Sequence, residues 1–306
     1  GYHTLHPIQC RADTRCGYGF WQTCDKASNH SKKLLISRQL SITDYHNYFI
    51  RKARGYPSLI LYEHTRMFEI MLKESIDKYL NITGFKEFAP KAVMFDMDGV
   101  IYNSMPNHAK SWHKAMKSIG IEMPSDDAYT YEGMRGVETI QLLFKKQRNE
   151  DISTEKASEY YKIKSDEFNK CPKAELMNGI ILLMEKIKAS GLKILVVTGS
   201  AQHTLIRKLT HDLNGLVEEN MIVTALDVKH GKPNPEPYLK GLQKAGVKPW
   251  EAIIVENAPL GIRAGVAAKV FTIAVNTGPL PDSALLNEGA NILFHSIREF
   301  AEKWNK

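Results

Sequence analysis

The stretch KAVMFDMDGV, residues 91–100, decides the fold predicted for this chain. Its first half is a short apolar run, which is typical of a strand buried within a parallel sheet. The run ends in Asp96, Met97 and Asp98, and Gly99 then permits a tight turn. Two carboxylates two residues apart, where a strand opens into a loop, can both reach one small site. The stretch therefore predicts a central strand with a polar site at its carboxyl end, although alone it is equally compatible with a plain acidic turn.

Four more strand-like runs follow along the chain, and helical segments separate them. They are LKILVVT (192–198), MIVT (221–224), AIIVE (252–256) and VFTIAV (270–275). Such an alternation of strand and helix predicts an α/β fold with a doubly wound, Rossmann-like parallel sheet. Ligands of such folds bind at the carboxyl ends of the strands, so the polar residues after each strand should form one site.

The long interval between the first two strands has the pattern of helices. Apolar residues such as Ala109 and Trp112 recur there at helical spacing. We therefore predict an inserted α-helical cap domain over residues 105–178, within an α/β core made of residues 71–104 and 179–306.

Residues 1–70 show no sustained period and are predicted to be an extension of unknown structure. A disordered segment and a small accessory domain both remain open for it. The local patterns in this part of the chain suggest helices at about 43–52 and 65–80 and a short strand at 59–62.

The positive charge of the chain is concentrated in this extension. Residues 1–70 carry ten Lys and Arg against five Asp and Glu, whereas the whole chain has a net charge of +7. Because the rest is nearly neutral, no nucleic-acid partner is expected. Cys10, Cys16 and Cys24 also lie in the extension without a close C-x-x-C pair, which favours free thiols in a reducing compartment over a zinc site.

No apolar run of the sequence approaches the ~18 residues that a membrane-spanning helix needs. The N-terminus also lacks the basic-then-apolar pattern of a signal peptide. We therefore expect a cytoplasmic protein that has no membrane partner and is a monomer.

Polar segments follow the later strands. The turn Thr198-Gly199-Ser200 offers hydroxyl and backbone N–H groups that can cradle a phosphate, although Ser and Thr are also common helix N-caps. Lys232 lies in the Pro-rich segment GKPNPEPY (231–238), where its ammonium can neutralise a carboxylate nucleophile and a phosphate. An unrelated surface lysine is the alternative.

Glu256 and Asn257 follow the fourth strand. Mg²⁺ prefers one or two carboxylates together with carbonyls, waters and substrate phosphate. These side chains could therefore complete an oxygen shell begun by Asp96, and the metal would screen the repulsion between an anionic nucleophile and an anionic substrate.

Four segments together give a resemblance to a known family. They are FDMDGV (95–100), VVTGS (196–200), GKPNPEPY (231–238) and VENAPLGIRAG (255–265). In this order and after these strands they resemble the haloacid dehalogenase-like (HAD) superfamily, most closely its β-phosphoglucomutase-like phosphatases and mutases. The resemblance runs from about residue 71 to the C-terminus.

The resemblance implies a role for each matching residue. Asp96 matches the phosphate-accepting nucleophile and Asp98 the general acid/base; Mg²⁺ would be bound by the Asp96 carboxylate and the Asp98 backbone carbonyl. Thr198 matches the phosphate-binding hydroxyl residue, and Lys232 matches the lysine that steadies the phosphoaspartate. Relatives commonly carry Glu-Asp or Asp-Asp where this chain has Glu256-Asn257, so Asn257 would bring an amide oxygen but no charge.

The predicted cap holds two more candidates for substrate binding. His108 resembles a histidine of the mutase-like branch that contacts the acid/base, and a partly exposed cap histidine is the alternative. Arg135, in the loop GMRG (133–136), could grip the substrate or be a solvated surface residue. Sugar phosphomutases of the group usually carry a further arginine a few residues later, and residues 137–139 (VET) lack it.

The leading hypothesis is therefore a Mg²⁺-dependent phosphatase for a small organic phosphate ester, with a sugar phosphate expected, acting through an aspartyl-phosphate intermediate. The first alternative is a β-phosphoglucomutase-type mutase, which would return the phosphoryl group to a second sugar hydroxyl. The second alternative is a phosphate-ligand binding protein without turnover.

Overall fold

The computed structural model describes residues 57–200 and 203–304. The chain divides into two units, Gly1–Met71 and Leu72–Lys306. Helix α1, Pro57–Thr83, includes the predicted helix at 65–80, and the short strand predicted at 59–62 is wrong because these residues lie inside this helix. The helix predicted at 43–52 and the three N-terminal cysteines lie outside the described residues.

A parallel six-stranded sheet forms the centre of the second unit in the described part of the chain, with the strand order β3-β2-β1-β4-β5-β6. The strands are β1 (Ala92–Phe95), β2 (Lys193–Val197), β3 (Ile222–Val223), β4 (Ala252–Glu256), β5 (Phe271–Val275) and β6 (Ile292–Phe294). Strands β1, β4 and β5 are buried along their whole length, which explains their continuous apolar runs. The predicted doubly wound α/β fold is confirmed.

The interval between β1 and β2 is helical. Its first four helices are α2 (Met105–Ser118), α3 (Asp127–Thr130), α4 (Gly136–Arg148) and α5 (Thr154–Asn169). They enclose an apolar cluster that includes Trp112, Met116 and Phe144 and shares no residue with the apolar cluster of the sheet. Such a separation is what the predicted cap, residues 105–178, requires.

The remaining helices cover the sheet. They are α6 (Ile180–Ala189), α7 (His203–Asp212), α8 (Glu236–Ala245), α9 (Pro259–Ala267), α10 (Asp282–Leu286) and α11 (Ile297–Lys303). Among the described residues, no helix has the length and apolar character that a bilayer crossing requires.

Two extended segments connect the cap to the core, and Tyr102 lies in the first of them. Tyr102 forms isolated bridges with Asp98 and with Leu176. Its hydroxyl donates to the Asp212 carboxylate at 2.8 Å, and Asp212 ends helix α7. The connection between cap and core is therefore tied to a helix of the core beside the first strand.

Candidate active site

Lys232 lies at the centre of the polar site at the carboxyl ends of the strands. Its Nζ donates a very short hydrogen bond to Asp96 Oδ1 and a second one to Glu256 Oε1 at 2.7 Å. All three side chains are buried. Burial alone would lower the pKa of Lys232, but the charges of the two carboxylates outweigh it and hold that pKa well above its usual value. Lys232 is therefore a permanent cation between two carboxylates.

Asp96 follows β1 directly, and its pKa lies above the usual value of an aspartate. Burial raises the pKa of Asp96 to about 7, against the lowering effect of Lys232, and the nearby charges of Glu256 and Asp98 raise it further. A carboxyl that loses its proton only near neutral pH needs additional positive charge to stay ionised when it attacks an electrophile.

Glu256 has all of its hydrogen-bonding capacity directed into the core. Oε1 also accepts from the Tyr238 hydroxyl at 2.5 Å, and Oε2 accepts from the backbone N–H groups of Asn257 and Ala258 at 3.1 and 3.4 Å. Gly261 makes room for the carboxylate, because a Cβ there would lie 1.9 Å from Oε1. These contacts favour a role in holding Lys232 over the metal-ligand role expected from the sequence.

Two buried oxygen atoms of the site have no hydrogen-bond partner: Asp96 Oδ2 and Asn257 Oδ1. Asn257 lies against Gly99, whose φ is +86° and where a Cβ would lie 2.1 Å from Asn257 Nδ2. Gly99 is therefore required both for its backbone conformation and for the space that it leaves to Asn257. A buried acceptor without a partner costs folding free energy, and a cation that is bound by both oxygens would remove that cost.

Asp98 is held from the cap side. Ser104 Oγ donates to Asp98 Oδ1 at 2.5 Å, and His108 Nε2 lies 3.3 Å from the same oxygen. Burial alone would raise the pKa of Asp98, but its interactions with His108, Ser104 and Lys164 outweigh burial and lower it. In this closed arrangement Asp98 is an ionised carboxylate.

Lys164 fixes the tautomer of His108. The Lys164 ammonium has no acceptor capacity and lies 2.8 Å from His108 Nδ1, so Nδ1 accepts and Nε2 carries the proton toward Asp98. Burial lowers the pKa of His108, and the charge of Lys164 lowers it further against the effect of Asp98. His108 is therefore neutral and donates to the carboxylate.

Sequence reasoning missed Lys164, and a signal for it exists. On α5 the residues Ala157, Tyr161, Lys164 and Phe168 follow one another at helical spacing, so the lysine interrupts an otherwise apolar stripe. Lys164 is buried, and its Nζ lies 4.9 Å from the ring centroid of Phe168. A charge on the buried face of a helix needs partners, and here they are the hydrogen bond to His108 and the charges of Glu132 and Asp98.

Glu132 was also missed. It precedes Gly133 in the cap loop. A Cβ on Gly133 would lie 2.9 Å from Lys232 Cδ, so this loop lies directly against the Lys232 side chain. Burial and then the charges of Asp98 and Asp96 raise the pKa of Glu132 well above its usual value. The cap loop therefore brings a fourth carboxyl to the site, beside those of Asp96, Asp98 and Glu256, and the position of Glu132 next to a glycine gave no indication of this.

The predicted phosphate cradle lies beside Lys232. Thr198 is buried at the end of β2, and its Oγ1 accepts from the backbone N–H of Ser200 at 3.1 Å. Thr198 and Gly199 line a cavity of about 10 Å³ together with residues of the cap loop and of the Lys232 loop. The closed cap thus leaves little free space next to the hydroxyl.

Arg135 has a protein partner. Its Nη1 donates to the carbonyl oxygen of Lys229 at 2.7 Å, and its Cγ approaches Gly231. The guanidinium therefore bridges cap and core, whereas the sequence left a contact with substrate and a solvated surface position both open.

A Mg²⁺ ion fits the donor set of this site. The unpaired oxygens of Asp96 and Asn257 are hard donors, and Glu132 brings a further carboxyl nearby. Within the described ranges, no group of three or more His, Cys, Asp or Glu side chains forms a ready-made metal cage. Few protein ligands are what Mg²⁺ accepts, because it retains several waters.

Comparison with known proteins gives similarities over the same region. The family model for haloacid dehalogenase-like hydrolases matches residues 93–275. Hexitol phosphatase A of Escherichia coli is 28% identical over 209 residues, which cover 68% of this chain and 92% of that protein. The 2-deoxyglucose-6-phosphate phosphatase 1 of Saccharomyces cerevisiae is 27% identical over 218 residues, which cover 67% of this chain and 87% of that protein. A solved structure from Bacteroides vulgatus, provisionally assigned as a beta-phosphoglucomutase, is 52% identical with a TM-score of 0.74, covering 77% of this chain and 96% of that chain.

Proposed function

The chain belongs to the haloacid dehalogenase-like hydrolase family, and we propose that it is a magnesium-dependent phosphatase that acts on a small organic phosphate through an aspartyl-phosphate intermediate. Its similarity to curated phosphatases identifies the chain as a phosphohydrolase. Two of these relatives are named for the phosphates of a hexitol and of a deoxyhexose, so a sugar phosphate is the proposed class of substrate.

The observation that carries the proposal is the pair of oxygens on Asp96. Oδ1 is held by the Lys232 ammonium, whereas Oδ2 is buried without a partner, as is the amide oxygen of Asn257. A purely structural aspartate would have both oxygens satisfied. A carboxylate that is fixed by one oxygen and open at the other suits a nucleophile that works next to a cation.

The residues then divide the chemistry between them. Asp96 attacks the phosphorus in line, the bond to the leaving oxygen breaks, and Asp98 gives that oxygen a proton. Water then attacks the phosphoaspartate while Asp98 takes the water's proton, which restores Asp96 and releases inorganic phosphate. Asp98 is ionised in the free site, and the incoming phosphate charge would raise its pKa so that it carries the proton that the first step requires.

Asp96, Asn257 and the backbone carbonyl of Asp98 would hold the metal, with Glu132 as a further source of negative charge. When bound, Mg²⁺ supplies positive charge that offsets the phosphate oxygens and the Asp96 carboxylate. Lys232 and the Thr198 turn are placed to supply the remaining positive charge and hydrogen-bond donors.

Release of inorganic phosphate from a panel of substrates, with and without Mg²⁺, tests the proposal. The panel contains hexose, hexitol and aryl phosphates, and also pyrophosphate because the closed cap leaves a cavity of only about 10 Å³. We expect Asp96→Asn to lower turnover by about a thousandfold or more, since the nucleophile is lost. Asp77→Asn, which alters an exposed aspartate on α1, is the matched control. Turnover retained by Asp96→Asn, or no turnover of any panel member by the wild type, would refute the phosphatase.

A mutase is the second candidate, and the name of the 52% identical structure favours it. The cap segment 137–139 lacks the further arginine expected for the second phosphate of a mutase, which supports hydrolysis instead. Product analysis with a hexose 1-phosphate separates the two, because a mutase yields hexose 6-phosphate and a phosphatase yields free phosphate.

A further inference from the structure

Two side chains of the cap segment 129–135 pack directly against glycines of the core. We call each of these glycine positions a seat. The Cγ of Arg135 lies 2.8 Å from the position that a Cβ on Gly231 would take. The Tyr129 ring approaches Gly278 in the same way, with Cδ1 2.8 Å from the corresponding position. Neither glycine has a positive φ, so backbone conformation does not require glycine at either place. The close approach of the cap does require it.

The two seats lie on opposite sides of the catalytic strand. Gly231 belongs to the loop that follows β3, and Gly278 to the loop that follows β5, whereas β1 lies between these strands in the sheet. The cap segment 129–135 therefore spans the site from one loop to the other. Gly133, near the middle of this segment, lies over the Lys232 side chain.

The loop that carries the Lys229 carbonyl is held by contacts that do not involve the cap. The Glu236 carboxylate accepts from the backbone N–H groups of Lys229 and His230 at 2.7 and 2.9 Å, which fixes the loop. The carbonyl of Lys229 then accepts from Arg135 Nη1 at 2.7 Å. A preformed acceptor loses little conformational freedom when the arginine docks.

We propose that Arg135 is a positioning residue that latches the closed cap onto the core, with Gly231 and the Lys229 carbonyl as its seat and Tyr129 on Gly278 as the second point. This proposal rests on the proposed function, in which the cap closes over a phosphate substrate. It assigns to Arg135 a contact with the protein, whereas a substrate grip would need the guanidinium to be free.

A latch and a grip differ in their dependence on the substrate. Losing a latch lowers the population of the closed complex by the same factor for every substrate. Losing a grip lowers the affinity only for those substrates whose leaving group reaches the arginine. If the closed complex is the dominant form, a weaker latch raises KM and changes kcat little.

The kinetic test uses Arg135→Ala, Arg135→Lys, Gly231→Ala and the double variant Arg135→Ala/Gly231→Ala, with the smallest and the largest substrates that the panel shows to be turned over. We expect Arg135→Ala to raise KM about fivefold for both substrates, as for one lost hydrogen bond, and kcat to fall less than twofold. Arg135→Lys keeps the stem and one donor and should recover most of the loss. Arg298→Ala, an exposed arginine on α11, is the control.

The double variant gives the sharpest outcome. The methyl group of Gly231→Ala acts by displacing Arg135, so it should cost nothing further once Arg135 is alanine. An increase in KM confined to the larger substrate, or effects of the two substitutions that multiply, would overturn the latch. If Gly231→Ala does not fold, the comparison of Arg135→Ala with Arg135→Lys still decides.

A second readout does not depend on turnover. Hydrogen–deuterium exchange with Mg²⁺ and inorganic phosphate should protect residues 129–135 and 229–231 in the wild type and less so in Arg135→Ala. The same protection in both proteins would refute the latch. Differential protection in a protein that hydrolyses no panel member would refute the proposed function and leave the latch standing.

Discussion

Glu132 adds a fourth carboxyl to a site that already holds Asp96, Asp98 and Glu256. The change Glu132→Gln keeps the size of the side chain and removes the ionisable group. Because the pKa of Glu132 is raised well above its usual value, we expect the metal-free variant to melt at a higher temperature than the wild type where the pH is high enough to ionise Glu132. Mg²⁺ affinity should fall about tenfold, the factor that corresponds to ~1.4 kcal/mol of lost attraction. Isothermal titration calorimetry and thermal melts measure the two opposite effects.

The matched control for this substitution is Glu138→Gln, an exposed glutamate on the following cap helix. It makes the same chemical change outside the site and should alter neither property. An unchanged Mg²⁺ affinity in Glu132→Gln would show that the cap carboxyl does not interact with the cation.

The sequence anticipated the residues that strand ends bring together. Asp96, Lys232 and Asn257 lie in loops after different strands, and a parallel sheet gathers such loops at one edge. Glu132 and Lys164 reach the site only because the cap folds over it. That approach depends on tertiary packing between two domains, and local pattern carries little information about it.

At the scale of elements, Gly261 in helix α9 allows a direct test of close packing against helix propensity. Alanine in a helix is favoured over glycine by about 1 kcal/mol. Here the added Cβ would lie 1.9 Å from Glu256 Oε1, and overpacking of this kind costs about 1–3 kcal/mol. We expect Gly261→Ala to lower the free energy of unfolding by up to about 2 kcal/mol and to reduce turnover by displacing the partner of Lys232. Urea unfolding and phosphate release measure these effects.

Val266→Ala, at a partly exposed position of the same helix, is the control for Gly261→Ala. It changes the helix without touching Glu256 and should leave turnover unchanged. A gain of stability in Gly261→Ala would mean that Glu256 can move aside at little cost.

Helix α7 is tied to the cap connection through Asp212, and this tie depends on pH. Burial would raise the pKa of Asp212, but hydrogen bonds from Lys208, Tyr102 and His211 outweigh it and lower this pKa to about 2. Since the folded pKa lies below the unfolded value, the stabilisation is present above about pH 4 and is lost as the pH falls toward 2.

We therefore expect Asp212→Asn to flatten the loss of stability between about pH 4 and pH 2.5. The expected difference is ~1 kcal/mol, because partial exposure of the carboxylate screens the interaction. Urea titrations at a series of pH values measure it, with the exposed Asp166→Asn as control. Parallel pH profiles for wild type and Asp212→Asn would contradict this role.

Strands that lie in a run of four or more apolar or β-branched residues were predictable, and β6 was not. The runs that contain β1, β2, β4 and β5 are mainly apolar because these strands are buried apart from Lys193 at the start of β2, and the edge strand β3 was predicted from the run MIVT (221–224). Strand β6 has three residues, of which only Phe294 is buried, and an apolar run of this length does not by itself indicate a strand. The segment 59–62 is apolar but lies in a helix, since a four-residue apolar run fits either element.

For the molecule as a whole, metal and phosphate should bind cooperatively. Without a cation, the ionised Asp98 and the partly ionised Asp96 would repel an incoming phosphate, and Lys232 is already engaged by two carboxylates. We expect Mg²⁺ and inorganic phosphate together to raise the melting temperature by more than the sum of their separate effects. Thermal melts with each ligand and with both measure this, and Asp96→Asn should lose the excess. Additive shifts in the wild type would contradict the shared site.

The fold class and the helical interval between β1 and β2 followed from the order of apolar patterns along the chain. The position of the cap over the sheet did not, because glycine seats and side-chain contacts between domains decide it. Gly231 and Gly278 read as ordinary loop glycines until the cap side chains that lie against them are known.

The ion cluster of Asp96, Lys232 and Glu256 also constrains how this chain can diverge. Loss of Lys232 would leave two buried carboxylates without their shared cation, a penalty of about 3–5 kcal/mol, whereas loss of one carboxylate leaves Lys232 paired with the other. A change at Lys232 is therefore tolerated only alongside a change at one of the carboxylates. Across descendants of a common ancestor, Lys232 should change only together with Asp96 or Glu256, while the neighbouring Asn257, which bears no charge, is free to vary with the metal it serves.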